Sequence, residues 1–304
     1  MPSDYLDLVR RRLVLYDGGM GTMLFAAGLL DGESPEPWNW EKPDVVGRIY
    51  RDYYDAGSDV VQTNTFGGTP IKLSERDLQN RTHDANYLAA KAVREVCPKG
   101  RYVAGDVGPI GKFLKPMGEY TVEEFTESFA AQIQGLVDGG VDLISIETMY
   151  SLDEALCALR AAKKISSLPV SICMTFDKNP RGFFTLMGET VPRSLQALEA
   201  AGADIVGSNC SHGSPVFLEL ARLMRDGTDL PVIVQPNRGR PTLEGGTVIY
   251  KQSAEEFVND MQAIAGLGVN VVGGCCGTTP EFISGLRSAL LDRGAATGDG
   301  GMRP

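Results

Sequence analysis

The sequence predicts a single-domain α/β fold, a (β/α)8 TIM barrel. Three observations carry that expectation: eight short apolar runs, a helix-like stretch after each, and a turn motif that returns four times. The runs cover 13–16, 59–62, 102–105, 141–146, 170–174, 205–207, 232–234 and 270–272. Each is brief and nearly continuous in Val, Ile and Leu, the pattern of strands buried on both faces of a parallel sheet.

The stretches between the runs read as helices. Residues 121–138 open with Thr121-Val122-Glu123-Glu124, a capping box, and stop at Gly139-Gly140. Residues 152–164 and 192–201 behave similarly. The recurring turn is Ala56-Gly57-Ser58-Asp59, Gly139-Gly140-Val141-Asp142, Ala201-Gly202-Ala203-Asp204 and Leu267-Gly268-Val269-Asn270. A small residue or glycine closes a helix, and a polar residue then leads into a strand. Such alternation predicts a parallel α/β fold. An open doubly wound sheet is the other arrangement of these units. The barrel is favoured because polar motifs stand at nearly every strand end, where they would ring one mouth. The barrel is expected over 1–291, followed by a flexible Gly-rich tail over 292–304.

Composition narrows the function. The chain has 304 residues, 43% of them hydrophobic, and a net charge of −10 from 29 basic and 39 acidic residues. That balance argues against nucleic-acid binding, which needs clustered Lys and Arg. Arg10-Arg11-Arg12 reads as the solvated end of a first helix. No apolar run approaches the roughly 18–20 residues of a membrane span, and the N-terminus lacks the pattern of a signal peptide. Six cysteines in such a chain point to a reducing, cytoplasmic setting with free, buried or metal-bound thiols.

The chemistry gathers at the strand ends. Strand 6 ends in Gly207-Ser208-Asn209-Cys210 and strand 8 in Gly273-Gly274-Cys275-Cys276-Gly277-Thr278-Thr279. In a barrel only one strand separates these ends, so Cys210, Cys275 and Cys276 can converge. Neighbouring cysteines share a metal only if the backbone turns sharply, which the glycines allow. Three thiolates fit zinc, with a fourth position left open for catalysis. Three inert buried thiols, or a strained vicinal disulfide, are the other readings of this spacing. Cys97, Cys157 and Cys173 read as packing residues.

The turn Asp17-Gly18-Gly19-Met20-Gly21-Thr22 lacks a P-loop's Gly-Lys-Ser/Thr. Its exposed amides suit a carboxylate. Asp17 and Glu147 supply two carboxylates for an ammonium. Together these elements would make an amino-acid site, with amides for the carboxylate, carboxylates for the ammonium and a thiophilic metal for the side chain. His83 and His212 are too few for a histidine metal site, and His212 reads as a loop residue.

These strand ends resemble the homocysteine S-methyltransferase family. The matching elements are Asp17 to Thr22, Thr63-Asn64-Thr65-Phe66-Gly67, Gly105-Asp106-Val107-Gly108-Pro109, Ile146-Glu147-Thr148, Asn209-Cys210, Pro236-Asn237 and Gly273 to Pro280. The chain is most similar to the homocysteine-binding module of cobalamin-dependent methionine synthases. The resemblance implies Zn2+ on Cys210, Cys275 and Cys276, with Asn237 as fourth ligand when no substrate is bound. It implies that Asp17 and Glu147 hold the substrate ammonium and the backbone of Gly18 and Gly19 its carboxylate. Three departures bear on the acceptor pocket: Gln62 where a glutamate is common, Arg238 where a small residue is usual, and the bulky basic segment 175–184.

A thiol with a pKa near 8.5 is mostly protonated at neutral pH, and zinc coordination deprotonates it. The expected reaction is therefore methyl transfer to a thiol substrate, homocysteine, giving methionine. The length leaves no room for folate, cobalamin and reactivation modules, so methylcobalamin on a partner corrinoid protein docking at the mouth is the expected donor. A small sulfonium or ammonium donor is one alternative. A corrinoid-linked methyltransferase or demethylase with a non-homocysteine substrate is another. A structural zinc barrel is the non-enzymatic reading.

Overall fold

Burial on both faces is what makes the eight runs strands. The computed structural model describes residues 2–244 and 247–292. Among them the eight runs form β1 (Val14–Leu15), β2 (Val60–Gln62), β3 (Tyr102–Val107), β4 (Leu143–Met149), β5 (Val170–Met174), β6 (Ile205–Gly213), β7 (Val232–Asn237) and β8 (Val271–Val272). They pair in parallel in the order β1-β8-β7-β6-β5-β4-β3-β2. With helices between them this is the expected barrel, nearly closed. None of the helices among the described residues is long and apolar enough to cross a membrane. The tail expected over 292–304 lies, apart from Asp292, outside the described residues.

Side chains alternate along each strand. Val60, Ala104, Leu143, Cys173, Ile205, Ile233 and Val271 face inward as one buried cluster. Val61, Val103, Ile144, Ile172, Val206, Val232 and Val272 pack outward with the helices. Tyr5 and Val9 of the first helix, Pro2–Arg11, join the inner cluster. Tyr5 meets the Tyr16 hydroxyl at 3.1 Å, and the Val9 carbonyl accepts from Asn270 at 3.3 Å. This helix therefore plugs the end of the barrel opposite the strand C-termini.

The fourfold turn has a specific task. Asp59, Asp142, Asp204 and Asn270 each open an even-numbered strand. Each donates its backbone N–H to Leu15, Val103, Val170 or Val232 on the odd strand before it. Each also accepts that same residue's N–H on its side chain, at 2.8–3.0 Å. A cation from the helix or turn before the odd strand then meets each polar side chain: Arg12, Arg94, Lys163 and Arg225. Gly57, Gly140, Gly202 and Gly268 lead into these turns with φ between +85° and +106°, a conformation that favours glycine. The barrel is thus four copies of a two-strand unit.

This pattern corrects the reading of Arg12. Arg10 and Arg11 lie exposed beside Asp7. Arg12 instead grips the buried Asp59 carboxylate with both guanidinium nitrogens, at 2.7 and 2.9 Å, and Arg101 joins it. Sequence pattern sees a basic run at a helix end. It does not see the buried carboxylate 47 residues away. Asp59 also helps close the β1/β2 seam, where Asp17 Oδ2 does the same at the opposite end by accepting the Gln62 amide at 2.7 Å.

The helix Val122–Gly139 begins and ends as the sequence implies. Thr121 and Glu124 form the capping box, at 3.2 and 2.7 Å, and Gly140 takes the left-handed cap at φ 89°. Asp59→Ala should destabilise the protein by about 3 kcal/mol in chemical denaturation, because it strands the guanidiniums and opens the seam. Asp7→Ala, which removes only an exposed pair, should stay within about 0.5 kcal/mol.

Candidate metal centre

Three sulfurs converge at the mouth. Cys210, Cys275 and Cys276 have sulfur atoms all within 4.8 Å of one another. Cys276 lies 4.0 Å from each of the other two. Tetrahedral ligation with Zn–S near 2.3 Å requires sulfurs about 3.8 Å apart, so the spacing suits that ion with little adjustment. Asn237 stands next to Arg238, whose amide donates to the Cys276 carbonyl at 2.9 Å, and its buried Oδ1 has no partner in the protein. An unpaired oxygen beside three thiols is a fitting fourth donor.

Local backbone chemistry aims the sulfurs. The pairing of β6 with β7 breaks between Asn209 and Gly213. Cys210 and Ser211 take φ of +63° and +55°, costing roughly 1–2 kcal/mol each for non-glycine residues. Across the mouth β4 bulges after Ile146, and Thr148 takes φ +60°. Asn209 ties the two irregularities together. Its Oδ1 accepts the Thr148 amide and its Nδ2 donates to Thr148 Oγ1, both at 2.8 Å. After β8, Thr278 N–H returns to the Cys275 carbonyl at 3.2 Å, with Gly277 at φ +81°. That turn is the sharp bend the glycines were expected to permit.

The thiols hold one negative charge easily and resist more. Hydrogen bonds from Cys275 and Cys276 push the Cys210 thiol far below its usual range, and the same bonds push Cys275 up and Cys276 to about 12. A divalent cation is the group whose charge would let all three ionise.

Below the sulfurs lies a floor of carboxylates. Burial pushes Asp17 up to about 8, opposed by the Gln62 amide and reinforced by Glu147. Burial likewise raises Glu147 to about 7, with the Gln62 side chain opposing and Cys210 adding. Gln62 bridges the pair. Its amide donates to Asp17 at 2.7 Å, its Nε2 to Glu147 at 3.1 Å, and its Oε1 accepts from Ser145 at 2.7 Å. Asp17 Oδ1 is buried without a partner in the protein. Gly18 and Gly19 pack tightly here: a Cβ on either would come 2.7 Å from a threonine hydroxyl, of Thr278 and Thr22 respectively. The Gly19 amide already donates to Thr278 Oγ1 at 3.2 Å.

Sequence reasoning passed over Asp106 as an acid. It faces the same interior on β3, paired in register with Ser145, and its Oδ1 is likewise buried and unpartnered. Burial first, then Glu147 and Asp17, raise its pKa well above the usual range. The signal was available: with Gly105 against Leu136 of a helix, the alternation turns Asp106 inward. Tyr250, whose ring packs on the Gly277 backbone next to Cys276, was also missed. It lies outside every strand end.

Other expectations resolve individually. Cys157 and Cys173 are buried packing residues, and half-buried Cys97 lies 4.0 Å from Arg94 Nη1. His212 belongs to the irregular end of β6, not to a loop, and its Nε2 accepts the Lys178 amide at 3.2 Å. Arg238 turns away from the carboxylates: its guanidinium lies 5.0 Å from the Phe282 ring centre, and its Nε donates to the Gln252 carbonyl at 2.8 Å. Segment 175–184 contains a hairpin, Asp177–Asn179 with Gly182–Phe184, and Lys178 is paired with Glu219.

The chain is similar to proteins of known kind. The chain is 32% identical over 309 residues to a methionine synthase of Mycobacterium tuberculosis (strain ATCC 25618 / H37Rv), covering 95% of this chain and 26% of that protein. It is 30% identical over 307 residues to the methionine synthase of Mycobacterium leprae (strain TN), covering 95% and 25%. The chain therefore spans about a quarter of the length of these relatives. In fold it is similar to the metallated homocysteine methyltransferase MmuM from Escherichia coli, with TM-score 0.77 and 22% identity over 95% of this chain and 99% of that one. A more distant likeness is the carboxyl transferase domain of Rhizobium etli pyruvate carboxylase, with TM-score 0.56 and 16% identity over 95% and 49%. The family model described as homocysteine S-methyltransferase matches residues 14–290, and the chain belongs to that family.

Proposed function

We propose that this chain is a zinc-dependent S-methyltransferase that takes homocysteine as acceptor and yields methionine. The observation that carries the reading is the cluster of Cys210, Cys275 and Cys276, spaced for tetrahedral ligation above buried carboxylates. Zinc, when bound, would hold the substrate sulfur as a thiolate at neutral pH. Asn237, with its unpaired Oδ1, would fill the fourth position until substrate arrives.

The remaining work falls to the chain. Asp17 and Glu147 would take the ammonium, which supplies the positive charge that their burial lacks. The turn at Gly18 and Gly19 would face the carboxylate. Since Gly19 N–H is engaged by Thr278, the Gly18 amide and the first-turn amides of the helix Met20–Ala26 carry that part of the reading. Gln62 is neutral and lends Glu147 a donor, so it lowers the cost of ionising the pair. In the transfer a sulfur lone pair forms the new C–S bond, and the donor–methyl bond breaks with its electrons left on the donor. Positioning, rather than a general base, is the protein's contribution.

A methylcobalamin-bearing corrinoid protein docking at the mouth is the donor we favour. Phe25, Leu30, Phe66, Phe113, Met117 and Leu186 are large apolar side chains left 38–67% exposed. All six lie on segments that follow barrel strands, β1, β2, β3 or β5. An apolar rim supports a macromolecular donor better than a small cation.

X-ray absorption at the zinc edge should give three sulfurs and one oxygen or nitrogen, becoming four sulfurs with homocysteine. A three-sulfur site indifferent to homocysteine would move the acceptor to another thiol. Cys275→Ala should lose both zinc and activity, whereas Cys157→Ala should keep both; equal metal in the two would sink the ligand assignment.

The carboxylates give a pH prediction. Their raised pKa values mean that part of the pair is protonated near neutrality, and an ammonium binds only the ionised form. Affinity for methionine, which has no thiol proton, should therefore rise from pH 6 to 8. Glu147→Gln should weaken it ten- to a hundredfold, about 1.5–3 kcal/mol for a charged hydrogen bond, and flatten the profile. Calorimetry across that range checks both.

A further inference from the structure

Homocysteine differs from its shorter and longer homologues only in the reach between sulfur and ammonium. A site that takes one end near Cys275 and the other at Glu147 must therefore fix the span between them. Cys275 follows β8 and Glu147 lies on β4, strands that do not pair with each other. One side chain joins these two strand ends. Asn209 of β6 is fully buried. Its Oδ1 accepts the Thr148 amide at 2.8 Å, and its Nδ2 donates to Thr148 Oγ1 at 2.8 Å and to Cys275 Sγ at 3.7 Å.

The orientation of this carboxamide is forced. A backbone N–H can only donate, so the oxygen must face the Thr148 amide, which leaves the nitrogen to the hydroxyl and the sulfur. Thr148 shares its peptide bond with Glu147. The two residues form the bulge of β4, where pairing with β5 slips between Ile146 and Met149. A bulge re-aims a side chain. This one holds Thr148 at φ +60°, which a β-branched residue keeps only under constraint. Both ends of the link are anchored. The Asn209 carbonyl accepts from Thr175 Oγ1 at 3.1 Å. The Cys275 amide donates to the Pro236 carbonyl at 2.9 Å, and the Cys275 carbonyl accepts from Thr278 Oγ1 at 2.7 Å. The carboxamide is thus a strut between one sulfur of the cluster and the backbone that aims Glu147.

The geometry points to Asn209 as a positioning residue that sets the chain length of the acceptor, by fixing the span from Cys275 to Glu147 at the reach of homocysteine. The inference rests on the proposed function above. Without the strut, the sulfur cluster and the ammonium site would still exist, but nothing would hold them at one separation. Shorter and longer thiols would then compete.

The test uses the whole chain with saturating zinc, and metal is measured on every sample. Calorimetry gives the affinity for cysteine, homocysteine and 2-amino-5-sulfanylpentanoate, thiols that differ by one methylene each. In the unaltered protein homocysteine should bind about tenfold tighter than either neighbour, the usual worth of one methylene in a fitted pocket. Asn209→Asp keeps an oxygen for the Thr148 amide and, in nearly the same volume, loses the N–H that faces Cys275. With zinc retained, its preference for homocysteine should shrink to about twofold, because the span is no longer fixed. Asn209→Ala, which cuts both links, should flatten the series as well; should it fail to fold, Asn209→Asp decides alone. A purely structural role would weaken all three thiols alike and leave the preference intact. That result in Asn209→Asp would overturn the inference, as would loss of its zinc. If the unaltered protein takes up no zinc or does not prefer homocysteine, the proposed function itself fails, and this inference with it.

Discussion

The mouth of the barrel is made of acids that burial, for the carboxyls, and shared hydrogen bonds, for the thiols, keep from all ionising together. Cys275 and Cys276 are held protonated against Cys210, and Asp17, Glu147 and Asp106 are all raised by desolvation. Ionising six such groups together in a low-dielectric interior is prohibitive without positive charge. The two missing charges are of different kinds. A soft dication suits the sulfurs, and a primary ammonium suits the carboxylates. An amino acid bearing a thiol meets both needs at once, its sulfur at one end and its ammonium at the other. On the proposed function, the selectivity of the site would follow from its charge deficit before any shape is considered.

Gln62 shows how finely that deficit is set. A glutamate in its place would add a further carboxylate against Glu147 and remove the Nε2 donor that now reaches it at 3.1 Å. The Ser145 hydroxyl that Gln62 Oε1 accepts would then face an anion. As it stands, one neutral side chain joins both carboxylates to β4 without adding charge. The departure at position 62 thus softens the pocket electrostatically while leaving its arrangement of partners in place.

Much of this was legible in the sequence because it depends on local pattern. Short Val- and Ile-rich runs are what two-sided burial demands, so all eight strands could be read. Gly273 to Gly277 announced a bend because adjacent cysteines cannot otherwise point the same way. What stayed hidden depends on contacts distant in sequence. Arg12 looked solvated because Asp59 lies 47 residues away. Tyr250 sits in no strand and in no cysteine motif, and only the fold lays it on Gly277. Asp106 was legible in principle from the alternation of β3, yet it was embedded in a glycine-flanked motif that drew attention to backbone rather than to charge.

The scaffold and the site are joined through single residues, which gives the arrangement its rigidity. Asp17 uses one carboxylate oxygen to close the β1/β2 seam and leaves the other unpaired in the pocket. Asn209 uses its amide oxygen and one N–H to pin the strained Thr148, and its Nδ2 also faces Cys275. Strain at Cys210, Ser211 and Thr148 is affordable because the surrounding ladder over-determines those positions. The geometry of the three sulfurs is therefore held by the barrel itself. An ion entering the site would meet sulfurs already near tetrahedral spacing, so its binding energy need not be spent on ordering the chain.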